Sequence, residues 1–75
     1  MKDFLEFVAR HTVRSPDDIE VTETEDGPVL VYRLSVAPDD VGRIIGREGR
    51  LVQAMRSLMR AAATRKGVRV ALQIR

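Results

Sequence analysis

The chain has 75 residues, enough for one compact domain with a modest hydrophobic core. Apolar residues make up 44% of it and charged residues 32%, a globular balance that excludes a disordered chain. The absence of cysteine excludes a disulfide framework and a thiolate metal site. No apolar run approaches the length of a membrane span or a secretory signal, so we expect a cytoplasmic protein without a membrane anchor.

The formal net charge of +2 conceals an acidic half and a basic half. Residues 1–40 contain ten of the 11 acidic residues, whereas residues 41–75 contain nine of the 13 basic ones and a single acid, Glu48. Clustered cations favour a polyanion, because they release the counterions that condense on a phosphate chain. Most of these cations are arginines, which can bind a phosphate through two parallel hydrogen bonds. The alternative is an ordinary solvated helix face.

Apolar periodicity predicts a first helix from Lys2 to about Val13 and then a strand around Ile19 and Val21. The turn at residues 25–28 contains Asp-Gly, which favours a hairpin because glycine tolerates the positive φ of tight turns. The returning strand is expected over residues 29–36.

Pro38, Asp39 and Asp40 predict the start of a short helix that runs to about Ile45, with the carboxylates acting as caps. A longer helix is expected over residues 50–66, and a final strand over residues 68–75. In the long helix, the centre of the buried stripe is predicted at Leu51, Met55, Leu58 and Ala62, widened by Val52, Met59 and Ala63. Arg50, Gln53, Arg56, Arg60 and Thr64 are predicted on the opposite side.

These elements predict one α+β domain over residues 1–75, with the order α-β-β-α-α-β. A three-stranded sheet with its helices packed on one face would give each apolar face a partner layer. The order of the strands within the sheet cannot be read from the sequence.

The loop Gly46-Arg47-Glu48-Gly49 joins the two later helices and is the strongest candidate site. Backbone N–H groups at the start of a helix lack intrahelical partners and lie at the positive end of its dipole, an environment that suits phosphate. Glycine at both ends leaves room for a sugar-phosphate chain, and arginines bracket the loop. A four-residue pattern with two glycines also occurs in plain turns between helices.

The segment from Val41 to Val52 resembles the signature of KH domains, in which the pattern I-G-x-x-G-x-x-I/L/V joins two helices. The element order is similar to that of type II KH domains. Over essentially its whole length the chain is similar to the KhpA family of small bacterial stand-alone KH proteins, which bind RNA. The resemblance implies non-catalytic binding of single-stranded RNA by a bacterial RNA chaperone or post-transcriptional regulator, without a cofactor.

The resemblance also implies roles for individual residues, since the G-x-x-G loop of a KH domain clamps about four unpaired nucleotides whose bases lie on an apolar groove. It assigns the backbone clamp to Gly46, Arg47, Glu48 and Gly49, phosphate contacts to Arg43 and Arg50, and the groove floor or the core to Ile44, Ile45, Leu51 and Val52. For Ile45 and Val52, plain core packing is an equal alternative.

Two features depart from a strong RNA-binding pattern. Glu48 places a carboxylate where KH loops more often carry basic or neutral residues, so we expect moderate affinity unless this side chain points away. The aromatic residues Phe4, Phe7 and Tyr32 all lie outside the basic half, so base discrimination by stacking should be shallow.

Two other classes of function compete with this interpretation. An enzyme would need a catalytic group, but the single histidine, His11, has no carboxylate at a sequence spacing that would indicate a catalytic pair. No set of metal-ligating residues is apparent either, so we expect no catalysis. The second alternative is a protein-interaction module that pairs with itself or with a larger KH-containing protein, as the family resemblance implies. Met55, Leu58 and Met59 could then contribute to the paired surface, although core packing is their default role.

Overall fold

The computed structural model describes all 75 residues, Met1–Arg75, and confirms the predicted α+β fold and order of elements. The helices are α1 (Lys2–Arg10), α2 (Val41–Ile45) and α3 (Arg50–Lys66), and the strands are β1 (Glu20–Asp26), β2 (Val29–Ser35) and β3 (Arg69–Ile74). Single 3-10 turns occupy Pro16–Asp18, Pro38–Asp40 and Arg47–Gly49. None of the helices combines the length and apolar character that crossing a bilayer requires.

The sheet has the order β1-β2-β3, with β2 in the centre. β1 and β2 form the predicted hairpin, in which Asp26 pairs with Val29 and Gly27 has a φ of +61°. β3 pairs with β2 in parallel. A parallel neighbour requires a crossover connection, and the segment that contains α2 and α3 provides it.

The core lies between one face of the sheet and the helices. Alternate strand positions such as Val21, Tyr32, Leu34 and Leu72 are buried, whereas their neighbours on the opposite face are mostly exposed and polar. From the helices, the buried apolar residues are Leu5, Ala9, Ile44, Val52, Met55, Met59 and Ala63. The sheet therefore has one dry face and one solvated face.

α1 ends at Arg10, about three residues before its predicted end. The N–H groups of Thr12 and Val13 both donate to the carbonyl oxygen of Ala9, which closes the helix in a tight turn. Apolar periodicity cannot show this ending, because Thr12 and Val13 still face the protein after the helix has stopped.

The buried stripe of α3 was predicted partly wrong. Val52, Met55, Met59 and Ala63 are buried, whereas Leu58, placed at the predicted centre, is 59% exposed. Arg56, predicted on the opposite side, is partly buried and donates to the carbonyl oxygen of Leu72 in β3. Apolar residues cover more than half of the circumference of α3, so the pattern alone could not show which edge of that surface faces the sheet.

Candidate nucleic-acid interface

The loop between α2 and α3 is fixed by the backbone of Gly46, which has a φ of +80° and a ψ of 175°. A β-carbon on Gly46 would lie 2.8 Å from the β-carbon and 3.0 Å from the backbone nitrogen of Leu51. Both the φ angle and this close approach demand glycine. At the other end of the loop, Gly49 has a φ of +74° but no atom near the position of a β-carbon. The two glycines therefore serve different purposes.

Glu48 also adopts a left-handed conformation, with a φ of +56° and a ψ of 26°. It is the only non-glycine residue in the chain with a positive φ. Its carboxylate lies 3.7 Å from the guanidinium of Arg50, and both side chains are largely exposed to solvent. Such an exposed pair is weak and is easily exchanged for other partners. The Glu48 carboxylate thus lies near Arg50, the first residue of α3.

The predicted cations around the loop differ in their exposure to solvent and in their contacts within the protein. Arg47 and Arg50 are exposed. Arg43 is partly buried, and its Nη1 donates to the carbonyl oxygen of Asp39 at 3.0 Å and lies 3.4 Å from Asp40 Oδ1. Arg47 and Arg50 are therefore more available to a ligand than Arg43.

The predicted apolar site residues divide between core and surface. Ile44 and Val52 belong to the hydrophobic core, with 0% and 6% of their surfaces exposed. Ile45 is 37% exposed, and Leu51 packs against the core from its edge. Of these residues, Ile45 presents the largest exposed fraction next to the loop.

Asp40 has a structural role that the sequence interpretation missed. The side chain is buried, and its two oxygens accept the backbone N–H groups of Arg14 and Ser15, each at 3.1 Å. The prediction that Asp39 and Asp40 act as helix caps was wrong, because no side chain caps the 3-10 turn or α2. Asp40 instead connects the segment before β1 to the start of α2, the helix that leads into the loop.

A groove between α3 and the edge strand β3 adds residues that were not predicted as a site. It has a volume of about 350 Å³ and is lined by Arg56, Met59, Arg60, Val70, Ala71 and Leu72. Arg56 closes one wall by donating to the Leu72 carbonyl oxygen at 3.3 Å. The signal in the sequence was the pair of arginines four residues apart, which places both on one side of α3.

The basic half of the chain is nearly free of internal ion pairs. Arg43–Asp40 and Arg50–Glu48 are the two salt bridges of the structure. The basic residues that follow Arg50 take part in neither of these salt bridges. Their charge is therefore available to an external anion.

His11 does not belong to a cluster of residues that could support catalysis. It is exposed at the end of α1, where its Nδ1 lies 2.8 Å from the carbonyl oxygen of Phe7 and its ring lies 4.4 Å from the Phe7 ring. This is a surface helix end, as the sequence indicates.

Comparison with known proteins agrees with this geometry. The family model described as "KhpA/KhpB, KH domain" matches residues 2–74. A protein named RNA-binding protein KhpA from Halalkalibacterium halodurans is 47% identical over 74 residues, which cover 99% of this chain and 97% of the relative. Proteins of the same name from Chlamydia pneumoniae and Clostridium acetobutylicum are 40% and 38% identical, again over 99% of this chain, and over 95% and 99% of their own lengths.

No solved structure matches the chain. The relatives are named as binding proteins and not as enzymes, which supports the expectation that the chain has no catalytic activity. The match to the family model extends over nearly all of the described fold, including the Gly46 to Gly49 loop. The chain belongs to the KhpA/KhpB family of KH domains.

Proposed function

We propose that residues 1–75 form one KH domain that binds single-stranded RNA, with the Gly46 to Gly49 loop holding the sugar-phosphate backbone. The observation that carries this proposal is the loop itself. Gly46 has no space for a side chain, Gly49 is open, and no side chain caps the start of α3. A phosphate can then approach the first turn of α3 without meeting a β-carbon at Gly49 or a capping side chain. The N–H groups of Gly49 and Arg50 already donate to the carbonyl oxygens of Gly46 and Arg47, so the phosphate would bind the N–H groups that follow them.

The surrounding charges fit a phosphate ligand. Arg47 and Arg50 are exposed beside the loop, and the weak pair between Arg50 and Glu48 can open when a phosphate replaces the carboxylate. Glu48 still lowers the local positive potential. The proposed affinity is therefore moderate.

The bases of the bound strand are proposed to lie in the groove between α3 and β3. Its floor contains Met59, Val70 and Leu72, and its rim carries Arg56 and Arg60. The groove has no aromatic side chain, and Tyr32 is buried in the core. Bases would therefore contact aliphatic side chains and guanidinium planes, which supports shallow discrimination between bases.

The names of the relatives support the choice of RNA as the ligand. The biological role that follows is that of a bacterial RNA chaperone or post-transcriptional regulator acting in the cytoplasm. Single-stranded DNA is the variant of this proposal, and a direct competition assay between the two ligands tests it, because only the 2′-hydroxyl groups distinguish RNA from DNA at such a site.

Fluorescence anisotropy with a labelled single-stranded RNA tests the loop. The double variant Arg47→Asp and Glu48→Asp keeps a short acidic side chain in the left-handed position, which aspartate tolerates better than glutamate. The control is Arg65→Asp, which makes the same change in net charge at an exposed position near the far end of α3. Once circular dichroism shows that both variants fold, we expect the loop variant to lose most binding and the control to lose little. Equal losses would contradict the clamp.

A second candidate function is pairing with another copy of the chain or with a larger KH-containing partner. Its support is an apolar cleft of about 380 Å³ between α1 and α3, lined by Met1, Phe4, Leu58, Met59, Ala62 and Lys66. Leu58 is 59% exposed there, and Phe7, one turn after Phe4, is 64% exposed. Met55 and Met59 are almost completely buried, so Leu58 is the residue of α3 best placed to contribute to a paired surface.

Sedimentation velocity of the wild type and of Leu58→Glu tests this pairing. An exposed leucine contributes little to the core, so the variant should fold. If the chain pairs through this cleft, the variant shifts the sedimentation coefficient to that of a monomer while RNA binding by each chain persists. A wild type that stays monomeric at all concentrations, with and without the larger KH partner, would remove this candidate.

A further inference from the structure

The groove between α3 and β3 continues beyond Met59 into a second cleft, which we call the distal cleft. It has a volume of about 330 Å³ and is lined by Arg60, Ala63, Thr64, Val68, Arg69 and Val70. Arg60 and Val70 line both spaces, so the distal cleft is continuous with the groove. It lies where α3 ends at Lys66 and the chain turns through Gly67 into β3.

The distal cleft is positively charged and has no internal counter-ion. Arg60 and Arg69 are exposed, and neither takes part in a salt bridge. Arg65 and Lys66 follow nearby in the sequence, and no acid lies between Glu48 and Arg75. An anion bound between Arg60 and Arg69 would therefore meet no competing carboxylate side chain from this part of the chain.

The floor of the cleft is apolar. Ala63 is buried, whereas Val68 remains 36% exposed at the surface. Gly67 has a φ of +72° and so allows the sharp turn, which the hydrogen bond from the Val68 N–H to the Ala63 carbonyl oxygen closes at 3.0 Å. An aliphatic floor between two arginines suits a ligand that combines a flat apolar face with a negative charge.

An unpaired nucleotide has that combination, since its base is a flat ring and its phosphate carries the charge. Arg60 lies ten residues after Arg50, about 15 Å further along the helix axis. We propose that the distal cleft binds a further nucleotide of the same single-stranded RNA, with its phosphate between Arg60 and Arg69 and its base on Val68 and Val70. This inference rests on the proposed function, and it makes the RNA footprint longer than the loop and the groove alone would hold.

The test compares two variants that each remove one positive charge. The cleft variant is Arg69→Gln, because Arg69 lines the distal cleft and not the groove, and the matched control is Arg65→Gln. Arg65 lies about 140° around α3 from Arg60, and it does not line the distal cleft. Both side chains are exposed, so both variants should fold.

Binding is measured by anisotropy with an oligouridine of four nucleotides and with one of about ten nucleotides, because KH domains clamp about four. We expect the cleft variant to bind the longer RNA about tenfold more weakly than the control variant does, with no difference on the shorter RNA. The slope of log K against log salt for the longer RNA should become shallower by about 0.7 for each phosphate that the cleft variant no longer binds. Equal binding of the longer RNA by both variants would overturn the proposal that the distal cleft binds a nucleotide.

The loop variant with Arg47→Asp and Glu48→Asp separates this inference from the proposed function. If the loop variant no longer binds either RNA while the cleft variant binds as its control does, the proposed role of the loop is supported and only the proposal for the distal cleft is refuted. If the loop variant retains both RNAs, the proposed function fails. Methyl NMR of the wild type gives an independent readout, in which the Val68 signals should shift with the longer RNA and stay in place with the shorter one, because Val68 lines the distal cleft and not the groove.

Discussion

Gly46 and Leu51 approach each other so closely that a β-carbon on Gly46 would lie 2.8 Å from the β-carbon of Leu51. Leu51 is in the first turn of α3, so this close approach determines how near the end of α2 comes to the start of α3. At Gly49 the same added carbon would meet no atom within 4 Å. The loop is therefore sterically closed at its first glycine and open at its second.

The first prediction follows from this difference. Gly46→Ala combines an unfavourable positive φ with a clash against helical backbone, and we expect it to lower the free energy of unfolding by about 3 kcal/mol. Gly49→Ala has the positive φ alone and should cost about 1 kcal/mol. Urea denaturation of the two variants measures both values. Equal losses would mean that Leu51 moves aside freely.

The second prediction concerns Glu48, which holds a left-handed conformation that favours glycine or asparagine. Glu48→Asn should raise the free energy of unfolding by about 0.5 to 1 kcal/mol and strengthen RNA binding, because it removes a carboxylate from the loop. Glu48→Gln removes the charge without relieving the backbone, so it should strengthen binding alone. A stability gain of the same size in both variants would show that the charge, and not the conformation, is responsible.

The third prediction concerns Asp40, whose two oxygens satisfy the N–H groups of Arg14 and Ser15. Asp40→Asn replaces one acceptor with a donor, so one backbone N–H group is left facing an NH₂ group. We expect a loss of about 1 to 3 kcal/mol in thermal or chemical denaturation. The control is Asp39→Asn, next to it and exposed, which should change stability by less than about 0.5 kcal/mol.

The fourth prediction concerns Tyr32 on the central strand. Burial is the largest of the causes that raise the pKa of Tyr32 from 10.0 to about 12, and a hydrogen bond to Glu23 and the charge of Glu23 add to it. The unfolded chain therefore releases this proton at lower pH than the folded chain does. The stability that depends on neutral Tyr32 is complete below pH 10 and is lost as the pH rises toward 12.

Denaturation at a series of alkaline pH values measures this effect. Tyr32→Phe removes the ionisable hydroxyl, so its stability should fall less steeply over the same range. Parallel slopes for the wild type and Tyr32→Phe would contradict the raised pKa.

The order of elements, the hairpin at Gly27 and the loop between α2 and α3 could be predicted because each depends on local patterns. The periodicity of two or 3.6 residues marks strands and helices, and glycine marks the positive φ angles. The orientation of α3 could not be predicted in the same way. Leu58 and Met59 are equally apolar, and only the positions of β3 and the short α1 determine that Met59 is covered and Leu58 is not.

The same limit applies to the candidate site. The loop is contiguous in the sequence and was visible there, whereas the groove joins Arg56 and Arg60 of one helix to Val70 and Leu72 of a later strand. Asp40 was interpreted from its neighbour Pro38 as a cap, but its partners Arg14 and Ser15 lie far away in the sequence. Contacts of this kind depend on tertiary structure.

The parallel pairing of β2 with β3 also has a consequence for folding. The β1–β2 hairpin joins neighbours in the sequence, but the β2–β3 ladder joins residues as distant as Val29 and Arg69, with α2 and α3 between them. Non-local pairing forms late, because the loop-closure entropy must be overcome first. Since β3 is one wall of the groove, a partly folded chain with only the hairpin and the loop has no groove. RNA that binds there would select the completed sheet and slow its opening.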